Sequence, residues 1–381
     1  MNRSTQTLTN LLAVYSFDAA VSNSRDASGR TALPPPGMLA SIVVVSRNSR
    51  NHLETCLNSL MYTVGLNTEI VVVDDASADG SAEYVAESFP WVRLLRNKTS
   101  TGLAACTNRG VSHAVGRYVV VLNAGTEVTS GWLDALLLPL QDGGAGLTTP
   151  RVLRMGPPGE VMASGNPVHY SGLTGRRGLG RAAGSPQLLR PAELPAVSGT
   201  CFALSKELWQ QLGGLDSTFL AGLAETDLSL RARLAGYKCA HVPEAVVYRN
   251  FASGVKNTRR LYLMERNRLL MLLKVYGRKT LLQLVPALAV AEAVTWKYAI
   301  RGGRKHVSAK LRAYRWLLAH REEVARMRRE TRRGRRQSDT GMLKMMAGRL
   351  YAARPAELEA GRKPVSSSMP LAGLLALLRR D

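Results

Sequence analysis

Two carboxylates, Asp74 and Asp75, close the apolar run Ile70-Val71-Val72-Val73. A carboxylate at the end of a buried strand can accept hydrogen bonds from a base N–H or from ribose hydroxyls. The same residues can instead build an Asx turn or a helix cap with Ser77 and Asp79. A second polar ending, Ser46-Arg47-Asn48, follows Ser41-Ile42-Val43-Val44-Val45, and a third, Asn123-Ala124-Gly125-Thr126, follows Tyr118-Val119-Val120-Val121-Leu122. Farther along, Glu225 and Asp227 fall in the first turn of a predicted helix, where acids complement the helix dipole or take up a proton. Arg249 ends the run Val246-Val247-Tyr248 with a guanidinium suited to oxyanions.

The elements that must hold these groups alternate along the chain. Near-continuous β-branched runs mark parallel strands buried on both faces, and Leu53, Leu57 and Leu60 recur at helical spacing between the first two. A helical segment around Ala82-Glu83-Tyr84-Val85, a short strand Val92-Arg93-Leu94-Leu95, a helix over 104–115 and the strand 118–122 continue the order. An open α/β sheet is predicted, with its ligand beyond the carboxyl ends of the strands. The fingerprint G-x-G-x-x-G is absent after the first strand, which argues against a dinucleotide dehydrogenase. Residues 141–197 are rich in Gly and Pro and read as loops crossing the sheet, with a lid on the acceptor side as one use for them. Helices follow over 206–212 and 225–234.

Composition bounds the class. The 381 residues are 45% hydrophobic and only 21% charged, enough to fill a core and unlike a disordered chain. The division expected is a leader or linker over 1–39, ending in Pro34-Pro35-Pro36-Gly37, a catalytic domain over 40–275, and a helical, apolar then basic region over 276–381. Cys56, Cys106, Cys201 and Cys239 lie far apart, without zinc spacing, which suits a reducing compartment. The broken apolar run after Arg3 is too short and polar for a secretory signal, so a cytoplasmic protein is expected.

The net charge of +23 points to a polyanion or an anionic surface. Residues 281–300 are mostly apolar but interrupted by Pro286, Glu292 and Lys297, which favours an interfacial helix over a transmembrane span. Residues 301–336 then hold fourteen Lys or Arg against three Glu. Such clusters beside an apolar helix attract anionic lipid headgroups. A solvated basic helix and nucleic acid are the other two readings. Tyr314 and Trp316 suit a headgroup belt and a base stack alike.

Taken in order, Ser41 to Asn48, Val71-Val72-Val73-Asp74-Asp75-Ala76-Ser77, Gly102 with Asn108 and Gly110, and Leu122-Asn123-Ala124-Gly125-Thr126-Glu127-Val128 form a series. It continues through Val197-Ser198-Gly199-Thr200-Cys201-Phe202, Gly213-Gly214-Leu215-Asp216 and Glu225-Thr226-Asp227-Leu228-Ser229-Leu230-Arg231. The series resembles the family-2 glycosyltransferases, particularly their rhamnosyltransferase-like branch, over residues 40–275. The resemblance implies a GT-A fold and an inverting transfer of a sugar from a nucleoside-diphosphate donor. The acceptor expected is a lipid-linked or cell-surface saccharide, with the apolar helix and basic tail of the C-terminal region holding the opening of the site near the inner face of the membrane. It places Ser46, Asn48, Asp74, Asp75, Asn108, Asn123 and Gly125 around the nucleotide sugar. It makes Glu225 the general base, with Asp227 as the competing candidate.

Two departures from the family pattern fall on the leaving-group side. Gly125 stands where the family has an aspartate that contacts Mg2+ or Mn2+, and Arg249 stands where a histidine is usual. A reduced metal requirement follows, with Arg249 on the diphosphate; Glu127 offers an alternative carboxylate for a displaced cation. A degenerate homologue that binds nucleotide sugar without turnover would also explain Gly125. A nucleic-acid-binding protein would explain the charge but leave the ordered motifs unexplained.

Overall fold

The computed structural model describes residues 37–156, 159–249, 258–346, 349–352 and 365–368. Nearly all of the expected leader, residues 1–36, lies outside the described residues, as do 353–364 and 369–381 of the expected basic region. The β-branched runs form β1 (Ala40–Ser46), β2 (Thr68–Asp74) and β4 (Tyr118–Asn123), which pair in parallel with β1 in the middle. Each is buried over nearly its whole length, so no exposed face requires polar alternation. β3 (Arg93–Arg96) extends the parallel edge beyond β2. The crossovers are α1 (Arg50–Thr63), whose buried face is Leu53, Cys56, Leu57 and Leu60, then α2 (Ser81–Ser88) and α3 (Leu103–His113). α3 meets the sheet at Gly110, where any side chain would run into Val43 and Val73.

Past β4 the pairing changes sense. β9 (Cys201–Ser205) runs antiparallel to β4, β6 (Leu147–Arg154) antiparallel to β9, and β10 (Cys239–Arg249) parallel to β6. The short β5 (Thr126–Val128) closes that edge antiparallel to β10, giving the order β3-β2-β1-β4-β9-β6-β10-β5. β7 (Val161–Ala163) and β8 (Ala192–Leu194) add to β6 and β10, and the glycine-rich stretch around them is a built layer in which Val168, His169, Tyr170 and Ser171 are buried. α4 (Trp132–Gln141), α5 (Lys206–Leu212) and α6 (Ala224–Leu234) complete the domain. Alternate residues of β1 feed two cores: Val43 joins Phe202 and Leu228 on one face, and Ile42 and Val44 join Leu57 and Trp132 on the other.

The C-terminal helices are α7 (Thr258–Val275), α8 (Arg278–Gln283), α9 (Val285–Arg301), α10 (Arg304–Ala319), α11 (Arg321–Arg333) and α12 (Asp339–Met345). They do not stand apart from residue 276 onward: Val324, Met327, Met342 and Leu343 share a buried cluster with Val43 and Leu228. The apolar stretch 281–300 is split between α8 and α9, with Pro286 in the first turn of α9, where its missing N–H costs nothing. Among the described residues no helix is long and apolar enough to cross a membrane. A last hairpin pairs β11 (Arg349–Ala352) with β12 (Val365–Ser368).

Candidate functional site

The carboxyl ends of the parallel strands bring the sequence-predicted groups to one edge. Ser46 is the register partner of Asp74, and Val45 that of Asn123. Asp74 is buried and forms an Asx turn, accepting from the Ser77 amide at 3.0 Å and the Ser77 hydroxyl at 2.5 Å. Asn48 ties the first strand end to the same turn, its Oδ1 accepting from the Ala78 N–H at 2.9 Å and its own N–H donating to Ser77 Oγ at 2.9 Å. Both turns hold a non-glycine residue in the left-handed region, Asn48 at φ 48° and Ala76 at φ 55°. Strain of this kind persists where surrounding bonds over-determine the backbone.

Asp75 and Asn108 hold loops instead of facing open space. Asp75 accepts from the N–H groups of Thr101 (2.7 Å) and Gly102 (3.1 Å), from Asn97 Nδ2 (3.0 Å) and from Ser100 Oγ (2.8 Å). Burial alone would raise its pKa, but the Thr101 amide and the Asn97 and Ser100 side chains hold the carboxyl well below the usual range. Asn108 satisfies both backbone groups of Leu215, donating to its carbonyl at 2.7 Å and accepting from its N–H at 2.9 Å. The spacing of Gly102, Asn108 and Gly110 therefore joins three loops and one helix face.

Glu225 is the second residue of α6, and the carboxyl group packs on the turn 198–200. A Cβ on Gly199 would lie 2.9 Å from Glu225 Cδ, so a larger residue there would push the carboxyl aside. Asn166 Nδ2 donates to Glu225 Oε1 at 3.3 Å. Burial raises the Glu225 pKa, and the bonds from its own amide, Thr226 and Asn166 offset only part of that. The preceding Leu223 adopts φ 67°, a left-handed helix entry. Asn267 fixes it from behind by donating to the carbonyls of Ala221 (3.0 Å) and Gly222 (2.8 Å), while Arg266 donates to that of Thr218.

The next residue of the same turn, Thr200, accepts from Arg249 Nη1 at 2.7 Å, and its carbonyl accepts from the Asn123 amide at 3.0 Å. Arg249 is the register partner of Thr126 on β5 and so sits beside Gly125, whose N–H caps Asn123 Oδ1 at 3.1 Å. The two departures read from the sequence are thus neighbours in space. Burial and the Arg176 guanidinium both depress the Arg249 pKa. Arg176, from the glycine-rich layer, is itself depressed by burial and then by Arg260 of α7.

Asp227 is brought to a different place. It is fully buried, with Oδ2 2.8 Å from Arg231 Nε and Oδ1 2.8 Å from Lys274 Nζ, and Lys274 reaches on to Asp216 Oδ2 at 2.6 Å. A carboxylate held by two cations behind the helix anchors α6 and does not reach the turn that holds Glu225. Asn166, Gly199, Thr200 and Arg176 were not singled out as site residues from the sequence. The small-residue turn Ser198-Gly199-Thr200 and the arginines of 172–181 were its only traces, and Asn166 left none.

The carboxylates that could help hold a divalent cation on a bound diphosphate are few at this edge. Gly125 offers no side-chain donor, Glu127 is half-buried on β5, and no group of three His, Cys, Asp or Glu among the described residues could hold an ion.

This sheet, parallel through β3-β2-β1-β4 and mixed beyond, with its polar turns gathered at the carboxyl ends, is the GT-A architecture of nucleotide-diphospho-sugar transferases. The model of glycosyl transferase family 2 matches residues 41–213 of the chain. The chain is 27% identical over 236 residues to the uncharacterized protein y4gI of Sinorhizobium fredii, covering 55% of this chain and 24% of that one. It is 26% identical over 233 residues to N-acetylglucosaminyl-diphospho-decaprenol L-rhamnosyltransferase of Mycobacterium tuberculosis, covering 54% of this chain and 74% of that one. It thus spans about a quarter of the first relative and three quarters of the second. Among solved structures, S. aureus TarS 1-349 in complex with UDP-GlcNAc aligns at TM-score 0.50 and 14% identity, over 78% of this chain and 90% of that one, a likeness of fold.

Proposed function

We propose that the chain is an inverting glycosyltransferase that moves a sugar from a nucleoside-diphosphate donor onto a hydroxyl of a saccharide acceptor. The observation that carries the reading is the turn 198–200, which seats Glu225 at Gly199 and Arg249 at Thr200, the adjacent residue. Glu225 takes the proton of the acceptor hydroxyl as its oxygen bonds to the anomeric carbon. The bond from that carbon to the diphosphate oxygen breaks, and the diphosphate leaves with the electron pair. Arg249 faces the growing negative charge with a planar pair of donors. The raised pKa of Glu225 makes it a better proton acceptor than an exposed carboxylate, provided the pH keeps it ionised. The nucleoside end belongs at Ser46, Asp74 and Asn123, at the carboxyl edge of the parallel strands.

Rhamnose as the sugar and a lipid-linked saccharide as the acceptor are supported by the name of the mycobacterial relative. The test is nucleoside diphosphate release from a panel of nucleotide sugars, with and without EDTA. Release that persists in EDTA and falls in Arg249→Met supports the guanidinium on the leaving group. Release abolished by EDTA and restored by Mn2+ overturns that part of the reading.

A further inference from the structure

From Leu282 to Val294 the outer side of α8 and α9 is apolar for about three and a half turns. Leu282, Val285, Val290 and Val294 are exposed there, Leu282 at 73%, and the exposed positions between them are Pro286, Ala289 and Ala293. Exposed cations stand at both ends of the strip, Arg278 and Lys279 before it and Lys297 and Arg301 after it. α10 continues the surface: Ile300, Val307, Leu311 and Leu318 line an open groove of about 650 Å³, bordered by Arg304, Arg312 and Arg315. A soluble surface seldom leaves so long a helix face apolar without a partner.

The orientation of this face is fixed from the inside. Lys310 of α10 is buried, its Nζ 2.7 Å from Glu265 Oε2 and 2.9 Å from Glu292 Oε2. Arg268 joins the same two glutamates, and Tyr314 donates to Glu292. Two acids and two bases neutralise one another between α7, α9 and α10. Rotating either hairpin helix would strand a buried charge. The hairpin therefore holds its valines and leucines outward.

We propose that the outer face of α8, α9 and α10 docks on an anionic lipid bilayer, with the apolar side at the level of the headgroup and acyl boundary and Lys297, Arg301, Arg304, Arg312 and Arg315 on the headgroup phosphates. The charge complementarity selects this occupant. Every charge bordering the groove is positive, and an apolar strip ending in cations is the pattern of a helix lying in the membrane interface. The inference goes beyond the transfer reaction and does not depend on it. Arg268 Nη1 also donates to the Ser171 carbonyl at 3.1 Å, so the docked hairpin is tied to the glycine-rich layer that supplies Asn166 and Arg176.

The experiment is sedimentation of the full chain with vesicles, with no donor present, so its failure is separable from failure of the transfer reaction. The chain is expected to pellet with phosphatidylcholine vesicles containing phosphatidylglycerol and far less with phosphatidylcholine alone. Val290→Asp with Val294→Asp, at exposed positions that leave the unfolding temperature unchanged, should weaken partitioning more than about tenfold. Arg304→Gln with Arg315→Gln should also weaken it by about tenfold, as a second route should the aspartates disturb folding. Absence of pelleting, or wild-type pelleting in both double variants, overturns the proposal. So does a dimer that the aspartates dissociate in a protein that never binds vesicles, since the face then belongs to a second copy.

Discussion

Gly199→Ala isolates the placement of the proposed base from its chemistry. The added methyl carbon would sit 2.9 Å from Glu225 Cδ and 3.2 Å from both Cγ and Oε1. Ordinary carbon contacts begin near 3.5 Å, so the carboxyl must retreat by about 0.6 Å. The backbone is not the obstacle, because Gly199 is not among the residues with positive φ. The clash falls on the end of a flexible side chain, so the stability cost should be at the low end of the range of about 1–3 kcal/mol seen for overpacking. Reactivity is more sensitive: a misplacement of about 1 Å can cost on the order of a hundredfold. Turnover should therefore fall roughly ten- to a hundredfold, with donor affinity and unfolding temperature close to wild type. The assay is nucleoside diphosphate release at saturating donor, alongside donor binding on the same protein. Wild-type turnover in a folded Gly199→Ala protein refutes the placement of Glu225 as base. A loss that merely tracks the fraction of unfolded protein refutes it too.

Three further outcomes follow from the buried charges. Asn166→Ala removes a hydrogen bond that lowers the Glu225 pKa, so the acidic limb of kcat/KM should move to higher pH; a limb that stays or moves down contradicts the contact. The same raised pKa means that Glu225 favours the fold when protonated, below its unfolded pKa, and that this contribution is lost as pH rises through the folded pKa. Glu225→Gln should accordingly unfold at a higher temperature than wild type at neutral pH, with the gap closing as the solution is acidified. Lys274→Met leaves Asp216 and Asp227 without their shared cation and should cost about 3–5 kcal/mol in urea unfolding, partly recovered when Asp227→Asn is added. A cost below about 1 kcal/mol would show that the network does not anchor α6.

The parallel half of the sheet was legible because its signal is local. Continuous β-branched runs ending in polar turns, with leucines at helical spacing between them, specify buried strands and crossovers with no knowledge of the rest of the chain. Gly125 and Arg249 were legible as departures from a family pattern, although their adjacency was not, since it depends on the register of β5 against β10. Asn166 and Arg176 come from a glycine-rich stretch with no period to read, and they reach the site only because long-range bridges fold that stretch over the sheet. Asp75, Asn108 and Asp227 show the reverse. Their chemistry suits a ligand as well as a loop, and only the partners seen in the structure reveal that each carboxylate or amide is already engaged. The split of 281–300 into two helices, and the way the later helices share the core with β1, likewise depend on packing partners distant in sequence.

The most direct test of the central claim is nucleoside diphosphate release by wild type and Glu225→Gln, with donor binding measured on both. The structure predicts that both bind donor equally and that the variant loses turnover by about a hundredfold or more, because the carboxylate that accepts the acceptor proton is gone. Turnover in Glu225→Gln at the wild-type rate would contradict the assignment of the base and, with it, the reading of the turn 198–200 as the reacting centre.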